Sequence, residues 1–430
     1  MAVTSDASVL SSLITTVDDL LREADALLTS HYPGASGARQ PIHTVYMPAD
    51  RCNPDVLTSW SEEALRSLAT HGRAALLKAL AGGPQTEGLV ERVERKLREQ
   101  PIEDLRIDFE DGYKVLFDDG EDADAVTAVS LIRHLTGLPT APAHIGIRFK
   151  SLEARSRTRG LRTLDLVVGG LARSGGLPDG FLLTLPKVTS VDQVRAMVTS
   201  CELLEQAYDL APGSLLFELQ IETPQSILGA DGAASVAPMV HAAAGRCSGV
   251  HYGTYDYAAA LGIAPAFQSM EHPVADHAKT TMHLAVAGTG VFMSDGSTNI
   301  LPVGDAADVQ TAWALHSRLV RRSLERGIYQ GWDLHPAQLL TRYATVFSFF
   351  DEGLPAATRR LTDYLTGAAS GVMDEPATAI ALAQFILRAL ECDATSEDAL
   401  ARLGIPDRET LTALARRKEV PNGATPKIGV

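Results

Sequence analysis

The sequence predicts an α/β fold: a (β/α)8 TIM barrel with an N-terminal helix and an appended C-terminal helical region. Three observations lead there. Eight short β-rich apolar runs recur between residues 41 and 340. Roughly 30 to 60 residues separate successive runs, room for a crossover helix in each gap, which favours parallel pairing over hairpins. The residues that end the runs are mostly polar, as the carboxyl-end rim of a barrel requires. A doubly wound open sheet is the alternative that strand count alone leaves open.

The first element is a helix over residues 5–30, where Val9, Leu10, Leu13, Ile14, Val17, Leu20, Leu21, Leu27 and Leu28 share one stripe with acids opposite, a pattern that asks for a docking surface. Pro33–Gly37 reads as a connector, so residues 1–40 form helix and connector. The strands follow at Thr44–Pro48, Leu105–Phe109, Ile145–Phe149, Phe181–Leu185, Leu215–Ile221, Val250–Gly253, Val291–Ser294 and Gln330–Leu334. Helical patterns lie between them at Ser59–Leu80, Glu87–Glu99, Ala123–Thr136, Leu152–Ala172, Val191–Asp209, Ser235–Ala243 and Val309–Arg326. Residues 41–340 thus make the catalytic barrel. Residues 341–430 complete a helical region that begins near Ala337, a possible lid, with Ala337–Phe350, Pro355–Leu365, Ala377–Leu390, Ser396–Leu403 and Arg408–Arg416 as helices and Glu419–Val430 as a loose tail.

Charge narrows the partners. With 38 basic and 53 acidic side chains the formal charge is −15, so neither nucleic acid nor an anionic membrane surface is an expected partner. No apolar run reaches the 18 or so residues of a membrane span, and the acidic N-terminus lacks a signal or transit pattern, which predicts a cytoplasmic chain. Cys52, Cys201, Cys247 and Cys392 are widely spaced, suggesting neither a disulfide framework nor a zinc site.

Chemistry is expected at the strand ends. Glu222 and Asp256 close adjacent strands, whose spacing of about 4.8 Å brings two carboxylates within reach of one ion. An oxygen-only pair that leaves positions for water and substrate suits Mg²⁺; the plainer reading is that each acid caps the helix after it. Asp50, Arg51, Asp108, Glu110, Asp111, Arg148, Lys150, Lys187, Asp295, Asp333 and His335 end the other strands, and all are expected on one rim. No phosphate loop, dinucleotide fingerprint, HExxH or GxSxG is present.

In order, the segments TVYMPADR, RIDFEDGY, IGIRFK, TLPKVTSVDQV, LQIETPQSILGADG, GTYDYAAALG, VFMSDG and GWDLHPAQ resemble the strand-end motifs of the citrate lyase β-subunit-like superfamily over about residues 42–340. That superfamily includes malyl-CoA and citramalyl-CoA lyases, HpcH/HpaI aldolases and, more distantly, malate synthases. The resemblance implies a Mg²⁺-dependent enzyme that breaks or forms a carbon–carbon bond through an enolate. Its substrate would be a small carboxylate, either a hydroxyacyl-CoA or a hydroxy-keto acid. Malate-synthase-like condensation of an acyl-CoA with glyoxylate, or a non-catalytic barrel serving as a binding module, are the alternatives.

By the same resemblance Glu222 and Asp256 are the metal ligands and Arg148 the arginine that binds substrate and stabilises the enolate. Asp108, Glu110 and Asp111 hold metal-bound waters or orient Arg148. Arg51, Lys187 and Pro224 belong to the substrate site, and His335 is either an acid/base or a loop anchor. His251 and Tyr252 either line the pocket or pack in the core. The Glu222–Asp256 separation exceeds the usual one, which predicts an insertion near Gly229–Ala234. A proton-transfer acid from Asp351, Glu352, Asp374 or Glu375, and a homo-oligomer using the apolar face of Ala377–Leu390, complete the expectations.

Overall fold

A computed structural model describes residues 7–83, 86, 88–114, 117–366 and 376–416. All eight expected strands form: β1 (His43–Pro48), β2 (Asp104–Asp108), β3 (His144–Arg148), β4 (Phe181–Leu185), β5 (Leu216–Ile221), β6 (Cys247–Tyr252), β7 (Phe292–Ser294) and β8 (Gly331–Trp332). They pair in parallel in sequence order from β1 to β7, with β8 beside β1. A parallel bridge from Ser294 to Gln330 joins the two ends, so the sheet closes as the barrel does and the open-sheet alternative falls.

Strand alternation explains the two faces. Ile107, Ile147, Leu183, Leu219 and Val250 are fully buried apolar positions, and such residues pack outward against the helices. Their neighbours meet inside the barrel. Arg106 of β2 donates to Glu218 of β5 (2.8 Å) and Thr184 of β4 (3.3 Å) and pairs with Asp104, while Thr44 of β1 donates to Asp104 (2.8 Å). Such bonds across four strands need a shared interior. Burial works against the Glu218 charge, but Arg106 and His251 outweigh it and hold the carboxyl down at about 2. Burial holds Asp104 above its ordinary value.

The helices differ from expectation in instructive places. Gly72, with φ +87°, divides the predicted helix Ser59–Leu80 into Val56–His71 and Arg73–Ala79. A helix at Pro273–Val286 fills the β6–β7 crossover, where none was read from the sequence. The two helices predicted around Pro355 are one, Pro336–Thr366, because Pro355 is solvent-exposed and water is available to the carbonyl it leaves unbonded. Gly229–Ala234, the expected insertion, makes a small loop pinned by an antiparallel bridge from Leu228 to Ala234.

The C-terminal helices pack at the amino-terminal end of the strands and do not cover the mouth. Tyr343 donates to the carbonyls of Gln100 and Pro101 just before β2, and Lys96 links Glu103 to Asp393. Asp351 pairs with Arg92, and Glu352 with Arg321 at 2.7 Å, so neither acid reaches the mouth. Asp374, Glu375 and Glu419–Val430 lie outside the described residues. A cavity of about 750 Å³ lies at this base, lined by Tyr32, Gln40, Met293, Arg388 and Arg416 among others. Among the described residues no helix is long and apolar enough to cross a membrane.

Asp295 and Asp333 depart from the common rim. Asp295 pairs with Lys279 of Pro273–Val286 (2.9 Å). Asp333 binds His316 (3.0 Å) and Arg342 (2.9 Å), with His43 at 3.5 Å, all buried in the helix layer. Trp332 faces the interior, so its neighbour must face out. Burial pushes the His43 imidazole down to about 4, Asp333 notwithstanding. Between pH 6.5 and 4 the unfolded chain therefore binds a proton that the folded chain refuses, and stability falls as pH falls through that window by up to about 3 kcal/mol. Urea midpoints at pH 7 and 4.5 should drop accordingly, and His43→Gln should flatten the slope; an equal slope in both chains would contradict it.

Candidate active site

The site is built at the carboxyl ends of β2 to β6. Arg148 ends β3 and is almost wholly buried, held in a two-pronged grip by Asp108 of β2: Nε to Oδ1 at 2.7 Å and Nη2 to Oδ2 at 2.6 Å. Its guanidinium lies 4.6 Å over the Tyr46 ring. Burial opposes its charge, yet Asp108 more than compensates and holds it well above its ordinary value. The remaining nitrogen, Nη1, donates to Gln220 Oε1 at 3.4 Å and lies 3.7 and 3.6 Å from Glu110 and Asp111.

Lys187, just past β4, is the hub of the acids. Its Nζ reaches Asp256 at 2.9 Å, Glu110 at 3.1 Å and Asp111 at 3.3 Å, while its backbone N–H donates to Glu222 Oε1 at 2.8 Å. It adopts φ +52°, a conformation unusual for a residue with a side chain. Gly253 makes room for Glu222: a Cβ there would lie 2.4 Å from Glu222 Cβ and 2.5 Å from Oε2. Asp256 stands in the first turn of Thr254–Ala260, half exposed, where Glu222 is buried.

Five carboxyl groups (Asp108, Glu110, Asp111, Glu222, Asp256) thus face two cations. The imbalance shows in their protonation. Burial, aided by Asp111, pushes Glu110 up to about 8, and burial pushes Glu222 up to about 7 against the pull of Lys187 and Arg148. Glu110 Oε2 is buried without a hydrogen-bond partner. Among the described residues no three His, Cys, Asp or Glu side chains form a ready cage. A two-carboxylate site completed by water and substrate is nonetheless the usual manner of holding Mg²⁺, and surplus negative charge with oxygen-only donors fits that ion.

Beneath this rim runs a ring of side chains of which sequence reading named only His251. The Trp332 ring lies 4.7 Å from Tyr46 and 6.4 Å from His251, the Tyr46 hydroxyl is 3.4 Å from His251 Nδ1, and Glu218 holds His251 Nε2 at 3.1 Å. Gln220 sits beside His251 in register and touches Arg148. Its Nε2 and the indole Nε1 of Trp332 are buried donors without partners. Period-two alternation from Glu222 back through Gln220 and Glu218 was the signal that could have found them.

The other predicted residues make contacts of their own. Arg51 is exposed, with Nη2 3.5 Å from the Gly112 carbonyl. His335 caps Pro336–Thr366, its Nδ1 accepting the Ala337 N–H at 3.2 Å. Pro224 is the first residue of the short helix Pro224–Ile227, capped by Thr223. Lys150 binds Glu121 at 2.8 Å, and Tyr252 packs on Tyr257 outside the barrel.

Fold and rim together define a (β/α)8 barrel with an acid-rich, arginine-centred mouth. The chain belongs to the family described as Domain of unknown function (DUF6986), which matches residues 21–419. No curated protein matches it. Among solved structures, a citrate lyase of Burkholderia xenovorans LB400 is 18% identical, with a TM-score of 0.56 over 86% of this chain and 98% of that one. The magnesium/glyoxylate complex of Haloferax volcanii malate synthase is 15% identical, with a TM-score of 0.49 over 88% and 99%. An HpcH/HpaI aldolase/citrate lyase family protein of Burkholderia cenocepacia J2315 is 16% identical, with a TM-score of 0.38 over 76% and 95%. At 18% identity the likeness to the citrate lyase is one of fold.

Proposed function

We propose that the protein is a Mg²⁺-dependent carbon–carbon lyase or aldolase that works through an enolate on a small carboxylate, either a hydroxyacyl-CoA or a hydroxy-keto acid. The observation that carries this reading is the gathering of Glu222, Asp256, Glu110 and Asp111 around Lys187 beside the Arg148–Asp108 pair. Glu222 and Asp256 would hold the ion, whose contribution when bound is Lewis-acid polarisation of a carbonyl oxygen.

This chain's residues supply the rest. In cleavage a base takes the hydroxyl proton, and the O–H electron pair forms the carbonyl of the departing fragment. The carbon–carbon bond breaks with its pair delocalised as an enolate onto the other carbonyl oxygen, and the proton returns to the enolate carbon. Asp108 occupies two nitrogens of Arg148 and Gln220 one N–H of Nη1, which leaves the second Nη1 hydrogen for the developing oxyanion. Glu110, whose Oε2 has no hydrogen-bond partner, is in its ionised form the acceptor for the hydroxyl proton. Because the Arg148 bond to Gln220 Oε1 turns the amide, Nε2 is its free end, and with Trp332 Nε1 it offers donors to a substrate carboxylate.

Two assays follow. Hydroxyacyl-CoA and hydroxy-keto acid substrates, plus acyl-CoA with glyoxylate, would be tested with and without Mg²⁺. Cleavage that stops on chelation supports the reading, condensation alone would make the protein a synthase, and turnover indifferent to chelation contradicts it. Gln220→Leu should raise KM for the active substrate about tenfold or more while kcat changes less, as loss of a hydrogen bond to a charged group predicts. An unchanged KM would remove Gln220 from the site.

A further inference from the structure

Among the described residues, nothing covers the apolar stripe of the helix Ala7–His31. Every described side chain from Ser8 to Ser30 is exposed, although the helix carries nine large apolar residues, between 43% and 76% exposed. Its root is fixed: His31 packs 4.6 Å and Tyr32 5.5 Å from the His241 ring, and Gly34 donates to the Gly288 carbonyl at 2.8 Å. From there an arm of 25 residues extends for about 37 Å at 1.5 Å per residue. A helix of this length in water draws most of its stability from packing an apolar face, and here the described residues offer its stripe nothing to pack on.

The stripe has the period of a helix pair. Leu10, Val17 and Ala24 recur every seven residues, and Leu13, Leu20 and Leu27 repeat the spacing three residues on, so three heptads carry both seam positions. Ile14, Leu21 and Leu28 widen the seam on one side. The charges sit elsewhere: Asp18, Asp19, Arg22 and Asp25 occupy the face away from the seam, and Glu23 alone flanks it. Two identical helices can therefore meet along this stripe without setting acid against acid. An anionic lipid surface fits poorly, because the polar face is itself acidic. The nine side chains amount to an area on the order of the roughly 800 Å² that a stable interface takes from each partner.

We propose that the arm is a self-association device: the arms of two copies pair along the heptad stripe and join the barrels at their bases, leaving both mouths free. Sedimentation of the full chain at micromolar concentration should give twice the single-chain mass. Leu13→Glu/Leu20→Glu should give the single-chain mass with an unchanged melting temperature, since the arm leans on nothing in the barrel. A wild-type monomer, which is also the result if the stripe serves an unrelated protein, would overturn the proposal. So would an assembly that survives the double substitution. Val17→Cys gives an independent reading: the four natural cysteines are buried, so mild oxidation should link two chains through position 17. Persistence of a free thiol there would overturn it equally.

Discussion

Arg106→Leu is expected to cost about 3–5 kcal/mol of folding stability, the penalty for breaking a buried ion group by removing one member. Arg106 is wholly buried and divides its guanidinium among Asp104, Glu218 and Thr184. Without it two interior carboxyls lose their main counter-charge, and His251 and Thr44 compensate only in part. A chain in which Arg106→Met, Asp104→Leu and Glu218→Met are combined should recover much of the loss, because no charge is then stranded. Urea unfolding of both variants checks this. A near-neutral Arg106→Leu, or a triple variant worse than the single one, would contradict the account of the core.

Arg148→Lys should lower kcat/KM by roughly 10²- to 10³-fold, the usual consequence of losing one oriented donor at a developing oxyanion. The charge survives the substitution, but the planar fork does not. Lysine cannot take both oxygens of Asp108 and still present a nitrogen to substrate, nor can it lie flat on Tyr46. Since the oxyanion charge develops only as the bond breaks, kcat should fall more than KM rises. Steady-state kinetics on the active substrate decide the matter, and a variant with full kcat would place the oxyanion elsewhere.

Much of this was legible in the sequence because strands announce themselves locally. All eight strands were found, each within a few residues, since β-rich runs between loops need no tertiary information. Orientation was harder to read. Asp295 and Asp333 end strands as Glu222 does, but they stand on the opposite side of the alternation and serve buried pairs with Lys279, His316 and Arg342. Within the interior ring, Tyr46, Gln220 and Trp332 were hidden for the same reason in reverse, and only His251 was named: the others look like ordinary strand residues until their parity is counted from Glu222.

The helix Pro273–Val286 was missed because two histidines, a lysine and an aspartate interrupt its apolar pattern. The place of the C-terminal helices at the base depended on long-range pairs such as Lys96 with Asp393, which no local pattern encodes. The apolar stripe of the N-terminal helix was plain in the sequence. That nothing within the described chain covers it was visible only in the fold.

On the proposed function, Glu222 and Asp256 should hold one divalent ion at the barrel mouth. Titrating the full-length chain with Mn²⁺, as a paramagnetic substitute for Mg²⁺, and following its electron paramagnetic resonance signal tests that claim without needing a substrate. One ion bound per chain, displaced by Mg²⁺ and lost in a folded Glu222→Gln/Asp256→Asn variant, is the predicted result. A wild-type chain that binds no ion, or a double variant that binds it as well as the wild type does, would contradict it.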